Sequence, residues 1–283
     1  MAAWHVFRLL RPKQWVKNLF VFAPLLFAAD FAQLEPVVSS LLTFAYFCLA
    51  ASCVYILNDL SDIESDRSHP VKSRSRPLAS GHLSVRQASW ALGVGLIGLL
   101  TGIFVIHWVM IPIGGYIAIN VVYSLVARKI PVLDIFTIAF GFVLRVVAGA
   151  LAISEPLSTW MFVTTFCLAL YLAAIKRRHE LKNLGSKSRS SLENYTVAIV
   201  ERFAEIAGTA ALVCYAVFAA TVKAALVYTI PIVAFGLFRY WFVAEKLKSD
   251  ESPTEAMLRD WQLIAAVVLW VGVCGGVLLL AGH

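Results

Sequence analysis

The chain has 283 residues, 60% of them apolar and only 14% charged, with a formal net charge of +7. A soluble globular chain is nearer a quarter charged, so this composition excludes the soluble class and points to a protein solvated by a bilayer. Five cysteines (Cys48, Cys53, Cys167, Cys214 and Cys274) lie inside apolar segments without CxxC spacing, which suggests core packing rather than a disulfide framework or a zinc site.

A bilayer-crossing helix needs ~20 mostly apolar residues. In chain order, residues 4–17 set Trp4, Phe7 and Trp15 among Arg8, Arg11, Lys13 and Lys17, the composition of an interfacial lead-in. The apolar run that follows, ending at Ala28-Ala29, superficially resembles a secretory signal. Eight further apolar segments follow it, however, so it is read as the first of several spans. The nine candidates fall at 18–34, 36–57, 86–106, 108–127, 131–152, 158–175, 198–220, 223–244 and 257–281. Pro24 interrupts the first, and Arg145 lies inside the fifth. The expectation is an all-α, polytopic membrane protein with nine transmembrane helices, residues 1–283 forming a single transmembrane domain.

Lys and Arg collect on cytoplasmic loops. Nearly all 24 of them fall at the N-terminus or in and beside 58–85, 128–131, 176–197 and 245–257, whereas the opposite loops offer only Lys223. That asymmetry predicts an inner-membrane protein with its N-terminus in the cytoplasm and its C-terminus outside. The basic balance is then mostly topology. Acidic lipid headgroups and phosphorylated substrates, not nucleic acid, are the expected partners.

The run Asn58-Asp59-Leu60-Ser61-Asp62-Ile63-Glu64-Ser65-Asp66 continues a hydrophobic helix without a break. On a helix, Asp59, Asp62 and Asp66 share one face, and Asn58 pairs with Asp62 at i, i+4. Like charges so placed repel, and acids at a helix C-terminus oppose its dipole. A divalent cation relieves both: Mg²⁺ prefers a few carboxylates together with phosphate oxygens and water. A solvated acidic helix end is the bland alternative. Arg67, His69, Lys72, Arg74 and Arg76 follow. Arg76 precedes a proline, hence an extended stretch, and is placed for bidentate phosphate contact. Acids for metal followed by bases for phosphate compose a Mg²⁺-diphosphate site.

The pattern N-D-x-x-D-x-x-x-D with R-P-L-x-S-G downstream (Arg76 to Gly81) resembles the UbiA superfamily of intramembrane polyprenyl transferases. More particular are the opening run Arg11 to Phe20, Tyr123-Ser124 with Lys129 and Asp134, Gly141 to Arg145 with Ala148-Gly149, and Lys176 to Leu181. Together these resemble the decaprenyl-phosphate phosphoribosyltransferase branch. The resemblance implies a nine-helix bundle around a central cavity, and transfer of 5-phosphoribose from phosphoribosyl diphosphate to a polyprenyl phosphate. The product would feed cell-envelope glycan synthesis.

Aromatic-prenylating members carry a second acidic motif, D-x-x-x-D, after span six. Here that loop reads Lys176-Arg177-Arg178-His179-Glu180-Leu181, with no aspartate. A site that binds one metal-diphosphate and one bare lipid phosphate would keep one Asp cluster and supply bases for the other anion. Basic residues at a cytoplasmic helix end are the alternative reading of the same loop. Arg145 is a mid-span charge and by default a functional candidate, with Asp134 or a substrate phosphate as its expected counter-charge. Tyr123, Lys129, Lys17 and Asn18 are placed to close a ring around the anion, with Tyr195 at the rim, and Glu180 is read as orienting one of the arginines, binding ribose hydroxyls or assisting the metal. An ionised lipid phosphate needs no general base, since the second pKa of a phosphate monoester is ~6.

Two rivals stand beside this reading: an aromatic prenyltransferase using an isoprenoid diphosphate, and a non-enzymatic lipid transporter. The missing second Asp motif disfavours the first. Polar groups gathered at one mouth rather than on broken helices at midplane disfavour the second. A homo-oligomer is a further expectation, carried by resemblance alone.

Overall fold

A computed structural model describes residues 2–68, 72–184, 194–247 and 257–281. Every regular element among them is helical: α1 (Ala2–Leu9), a 3-10 segment (Pro12–Phe22), α2 (Ala23–Ala28), α3 (Leu34–Ser61), α4 (Ile63–Ser68), α5 (Lys72–Ser75), α6 (Val85–Val105), α7 (Met110–Leu125), α8 (Leu133–Ala152), α9 (Thr159–Leu184), α10 (Val197–Thr221), α11 (Ile230–Glu245) and α12 (Trp261–Ala281). Among the described residues, eight helices are long and apolar enough to cross a bilayer. They match eight of the nine expected spans, and the protein is a multi-pass membrane protein.

The ninth, expected at 18–34, is built differently. Pro12 and Pro24 each sit near the start of a helical piece, and Arg11 and Ala29 adopt left-handed backbone (φ 53° and 63°). Between them lie eleven 3-10 residues and six α-helical ones. At ~2.0 and ~1.5 Å rise per residue these span ~30 Å, enough to traverse the bundle from the level of Asp59 to the start of α3. The crossing is therefore present but is not one regular helix. It is wedged inside the bundle: Val21 is fully buried, and a Cβ on Gly149 of α8 would overlap the Val21 carbonyl. Glycine is what lets the 3-10 backbone lie directly on α8.

The long helices alternate in direction, so the C-terminal ends of α3, α7, α9 and α11 meet the N-terminal ends of α6, α8, α10 and α12 at one polar end. Local chemistry fixes those ends. Ser84 and Gln87 form a capping box at α6, Thr196 accepts the Ile199 N–H at α10, and Asp260 accepts the Leu263 N–H at α12. One core cluster packs Phe47, Val54, Ile113, Tyr116 and Ala148 from α3, α7 and α8; another packs Tyr171, Val200, Tyr240 and Leu263 from α9 to α12. Large apolar side chains such as Ile97, Phe104, Ile206, Phe238 and Leu280 remain exposed on the outer faces. In water such a surface would be an association site; in a bilayer it is the solvated face.

Candidate active site at the polar end of the bundle

α3 carries its helical hydrogen bonding through the acidic run. Asp62 N–H reaches Asn58 O at 3.0 Å and Asp66 N–H reaches Asp62 O at 2.8 Å, with only a turn at Asp62 between α3 and α4. The expected shared face is thereby formed, and each carboxylate on it meets a guanidinium. Arg11 and Arg76 both donate to Asp59, the latter at 3.0 Å, and Arg76 Nη1 also reaches Asp66. Arg128 donates to both oxygens of Asp62, at 2.9 and 3.2 Å. The Asp59 and Asp66 side chains are only 2% exposed. Buried carboxylates at that depth demand positive charge, and Arg11 and Arg76, from two separate segments, supply it. Asn58 completes the face by accepting the Ser124 hydroxyl at 2.7 Å.

Among the described residues no three metal-ligating groups converge closely enough to coordinate an ion as they stand. Asp59 and Asp66 instead converge on one cation, the Arg76 Nη1. A set of carboxylate oxygens already gathered around a positive group suits a hard divalent cation such as Mg²⁺, which would take the place of the guanidinium.

A second polar network joins α7, α8 and α9. Arg177 is fully buried, its Nε 2.6 Å from Asp134 Oδ2, its Nη1 on Glu180 and its Nη2 2.7 Å from the Tyr123 hydroxyl. Tyr195, just ahead of α10, donates to Asp134 at 2.9 Å and accepts the Val132 N–H. Burial raises the pKa of the Tyr195 phenol, so it stays protonated and donates. Lys176 and Glu180 lie half-buried on the same turns of α9. Arg178 faces another way, bridging Glu201 of α10 and Glu245 of α11 over the Trp241 ring.

Arg145 is buried in the middle of α8. Its Nε donates to Asn18 Oδ1 and its Nη1 to Gly141 O, both at 2.7 Å, and its guanidinium lies over the Phe47, Tyr116 and Phe142 rings. The expected Arg145–Asp134 pair is not formed. Eleven residues at ~1.5 Å rise separate them by ~16 Å along the helix, too far for contact even on a shared face, and Asp134 pairs with Arg177. Lys17, half-buried in the 3-10 segment, lies within electrostatic range of Arg145 and Arg11. Asn18, Lys17 and Arg145 thus form the floor beneath the carboxylate mouth.

Lys129 stands exposed on its 3-10 turn, while its neighbour Arg128 turns inward to Asp62. The Asp62 hydrogen bonds raise the Arg128 pKa further. Arg11, Arg128 and Ser124 are the contacts that sequence reading did not place at the site. For Arg128 the only signal was its adjacency to Lys129. His69 and His283 lie outside the described residues, as do the Lys72 and Asn183 side chains and residues 185–193 of the second loop.

An all-helical membrane bundle with a carboxylate face, converging guanidiniums and a cationic floor at one mouth defines an intramembrane transferase acting on phosphorylated substrates. The chain belongs to the UbiA prenyltransferase family, whose sequence profile matches residues 18–264. It is 34% identical to the decaprenyl-phosphate phosphoribosyltransferase of Mycolicibacterium smegmatis, over 94% of this chain and 90% of that one. It is 35% identical to the protein of the same name from Corynebacterium glutamicum, over 93% and 83%. The fold is shared with a UbiA homologue from Archaeoglobus fulgidus solved with GPP and Mg²⁺, at a TM-score of 0.72 and 22% identity over 96% of this chain and 99% of that one.

Proposed function

We propose that this chain transfers 5-phosphoribose from phosphoribosyl diphosphate to a polyprenyl phosphate, releasing pyrophosphate, with Mg²⁺ as the cofactor. The observation that carries this reading is the asymmetry between the two polar clusters. Three aspartates are gathered on α3 and α4, whereas the corresponding end of α9, residues 176–183, holds Lys176, Arg177 and Glu180 and no aspartate. One cluster suits a metal-bound diphosphate and the other a bare phosphate. The names of the two bacterial relatives support the same substrates.

Asp59, Asp62 and Asp66 would hold the cation, and Mg²⁺ bound there would neutralise charge on the departing diphosphate. Arg11, Arg76 and Arg128 would turn from the carboxylates to the diphosphate oxygens, offering forked donors to the leaving group. The bond from ribose C1 to the diphosphate oxygen breaks through an oxocarbenium-like state, and the lipid phosphate oxygen forms the new bond. Lys17, Lys176 and Arg145 orient that phosphate, while Arg177, held by Asp134, which Tyr195 fixes in turn, keeps Glu180 and Tyr123 in place at the rim. Positioning and charge compensation supply the catalysis, with no general base. In the proposed orientation the mouth opens to the cytoplasm of the inner membrane, and the lipid tail leaves between helices into the bilayer.

The test is direct. Purified protein with labelled phosphoribosyl diphosphate, Mg²⁺ and a polyprenyl phosphate should move label into the lipid phase and release pyrophosphate. Chelation of the metal should stop the reaction, and Asp59→Asn or Asp66→Asn should lower turnover by about 10²–10³, the cost of losing an electrostatic catalytic group. A folded Asp66→Asn protein with unchanged turnover across a Mg²⁺ titration would overturn the site assignment. Product formed only from an isoprenyl diphosphate and an aromatic acceptor would favour the prenyltransferase rival.

A further inference from the structure

On the side of α3 facing α1 and α6 lies a cleft of ≈ 630 Å³, within the ~300–1,000 Å³ typical of ligand sites. Its walls include Val6, Leu10, Ile56, Trp90, Val94 and Gly98. Two polar side chains also reach it. The Ser52 hydroxyl lies within hydrogen-bonding reach of Leu10 O and Cys48 O and accepts from Trp15 Nε1, so it is satisfied internally, while Gln87 keeps its Oε1 in the Ser84 capping box at the exposed start of α6. A ligand inside is therefore offered mainly hydrocarbon contact. Small residues keep the cleft open, since Ala91 and Gly98 lie where larger side chains would fill it.

The polar end of the cleft is roofed by α1, which is pinned by Arg8 on Ser75 O and by His5 stacked on His82 at 4.5 Å. α1 turns Trp4 and Phe7 outward, as an interfacial helix does. The surrounding charge has one sign. Residues 1–29 and 67–133 contain no Asp or Glu, so α1, α6 and the turn between α5 and α6 carry Arg8 and Arg86 without an acid of their own. Asp59 and Asp66, at the end of α3 and in α4, are already held by Arg11 and Arg76. Arg86 opens α6 one residue before Gln87 and is exposed.

We propose that this cleft binds one acyl chain of an anionic glycerophospholipid of the host bilayer, with the phosphate head at Arg8 and Arg86. The site is separate from the transferase mouth, and the proposal does not depend on the reaction assigned there. Charge complementarity chooses an anionic head, since each basic residue near the surface attracts acidic lipid, and the mostly apolar lining chooses a hydrocarbon chain.

The full chain in nanodiscs should be irradiated with phosphatidylglycerol bearing a diazirine in one acyl chain, and the labelled peptides mapped. Labelling is expected on α3 near Cys53 and on α6 near Val94. It should exceed that by the phosphatidylcholine analogue with identical chains, and fall about fivefold in Arg86→Gln, the loss expected for one basic contact. Filling the cleft with Ala91→Phe or Gly98→Leu should abolish it. At Gly98 a Cβ would meet only the tip of Leu49, at 3.1 Å, so that helix contact can adjust. Should a filled variant fail to fold, competition on the wild type serves instead: unlabelled phosphatidylglycerol should suppress labelling and phosphatidylcholine should not. Equal labelling by both headgroups would overturn the proposal. So would labelling only by a polyprenyl phosphate probe, which would make the cleft a substrate path, or labelling that vanishes when a cross-linked dimer forms, which would make it a contact between two copies.

Discussion

Arg177 shows how a charge is kept inside this bundle. It meets two carboxylates and a phenol, so its neighbours are as dependent on it as it is on them. Removing one member of a buried ion pair leaves the other uncompensated, which costs ~3–5 kcal/mol. Arg177→Met should therefore lower the thermal midpoint in detergent sharply, and Asp134→Leu should do the same. The double variant should lose clearly less than the sum, a coupling that a double-mutant cycle reads directly. At this scale the sequence announced which residues were polar but not which met which. Asp134 was matched to Arg145 because both lie on one helix. Its true partner is forty-three positions away, on a neighbouring helix, and no spacing rule reaches that far. Arg128 and Lys129 are likewise chemically equivalent in sequence, and only the 3-10 turn that carries them decides which one points at Asp62.

At the scale of elements, long apolar runs made the helices legible, and α3 differs from its expected 36–57 mainly by running on past Asp59 to Ser61. The first crossing was not legible as a 3-10 segment, because its geometry is imposed by packing against α8 rather than by its own propensities. Gly149→Ala tests that contact. Its Cβ would meet backbone, which cannot swing away, whereas at Gly208 a Cβ would meet the Tyr171 ring at 2.9 Å. Gly149→Ala should then destabilise markedly more than Gly208→Ala in thermal unfolding. Between α11 and α12, Asp260 both caps the last helix and accepts two bonds from Arg239, at 3.0 and 2.7 Å. Asp260→Ala should cost ~1 kcal/mol through the lost cap alone. Asp260→Asn keeps a capping oxygen and removes the charge together with the Oδ2 acceptor of Arg239 Nη2. The Arg239 hydrogen bonds hold the Asp260 carboxyl below its ordinary 3.8, so the ionic contribution is present at neutral pH and is lost as pH falls through the folded value. Wild type and Asp260→Asn should therefore differ in thermal midpoint at pH 7 and converge in acid below 3.8.

For the molecule as a whole, the distribution of Lys and Arg gave the proposed orientation, and it can be read without any assay of activity. A single cysteine introduced at Ser80, at the polar end, should react with a membrane-impermeant maleimide only from the cytoplasmic side. One at Glu155, at the opposite end, should react only from outside. Reversed labelling would invert the topology and place the carboxylate mouth on the wrong side for cytoplasmic substrates.

Arg145 adds something at this scale that neither the mouth nor the rim provides. It contacts an amide oxygen, a backbone carbonyl and three aromatic rings, and among the described residues no carboxylate lies within ion-pairing distance. The bundle therefore has a positive pole in its interior that no described carboxylate neutralises. Under the proposed function, a lipid presenting a phosphate would be drawn toward that pole, and the same lipid presenting a plain alcohol would not. The protein would thus sort lipids of identical tail by the sign of their ends, before any bond is made or broken.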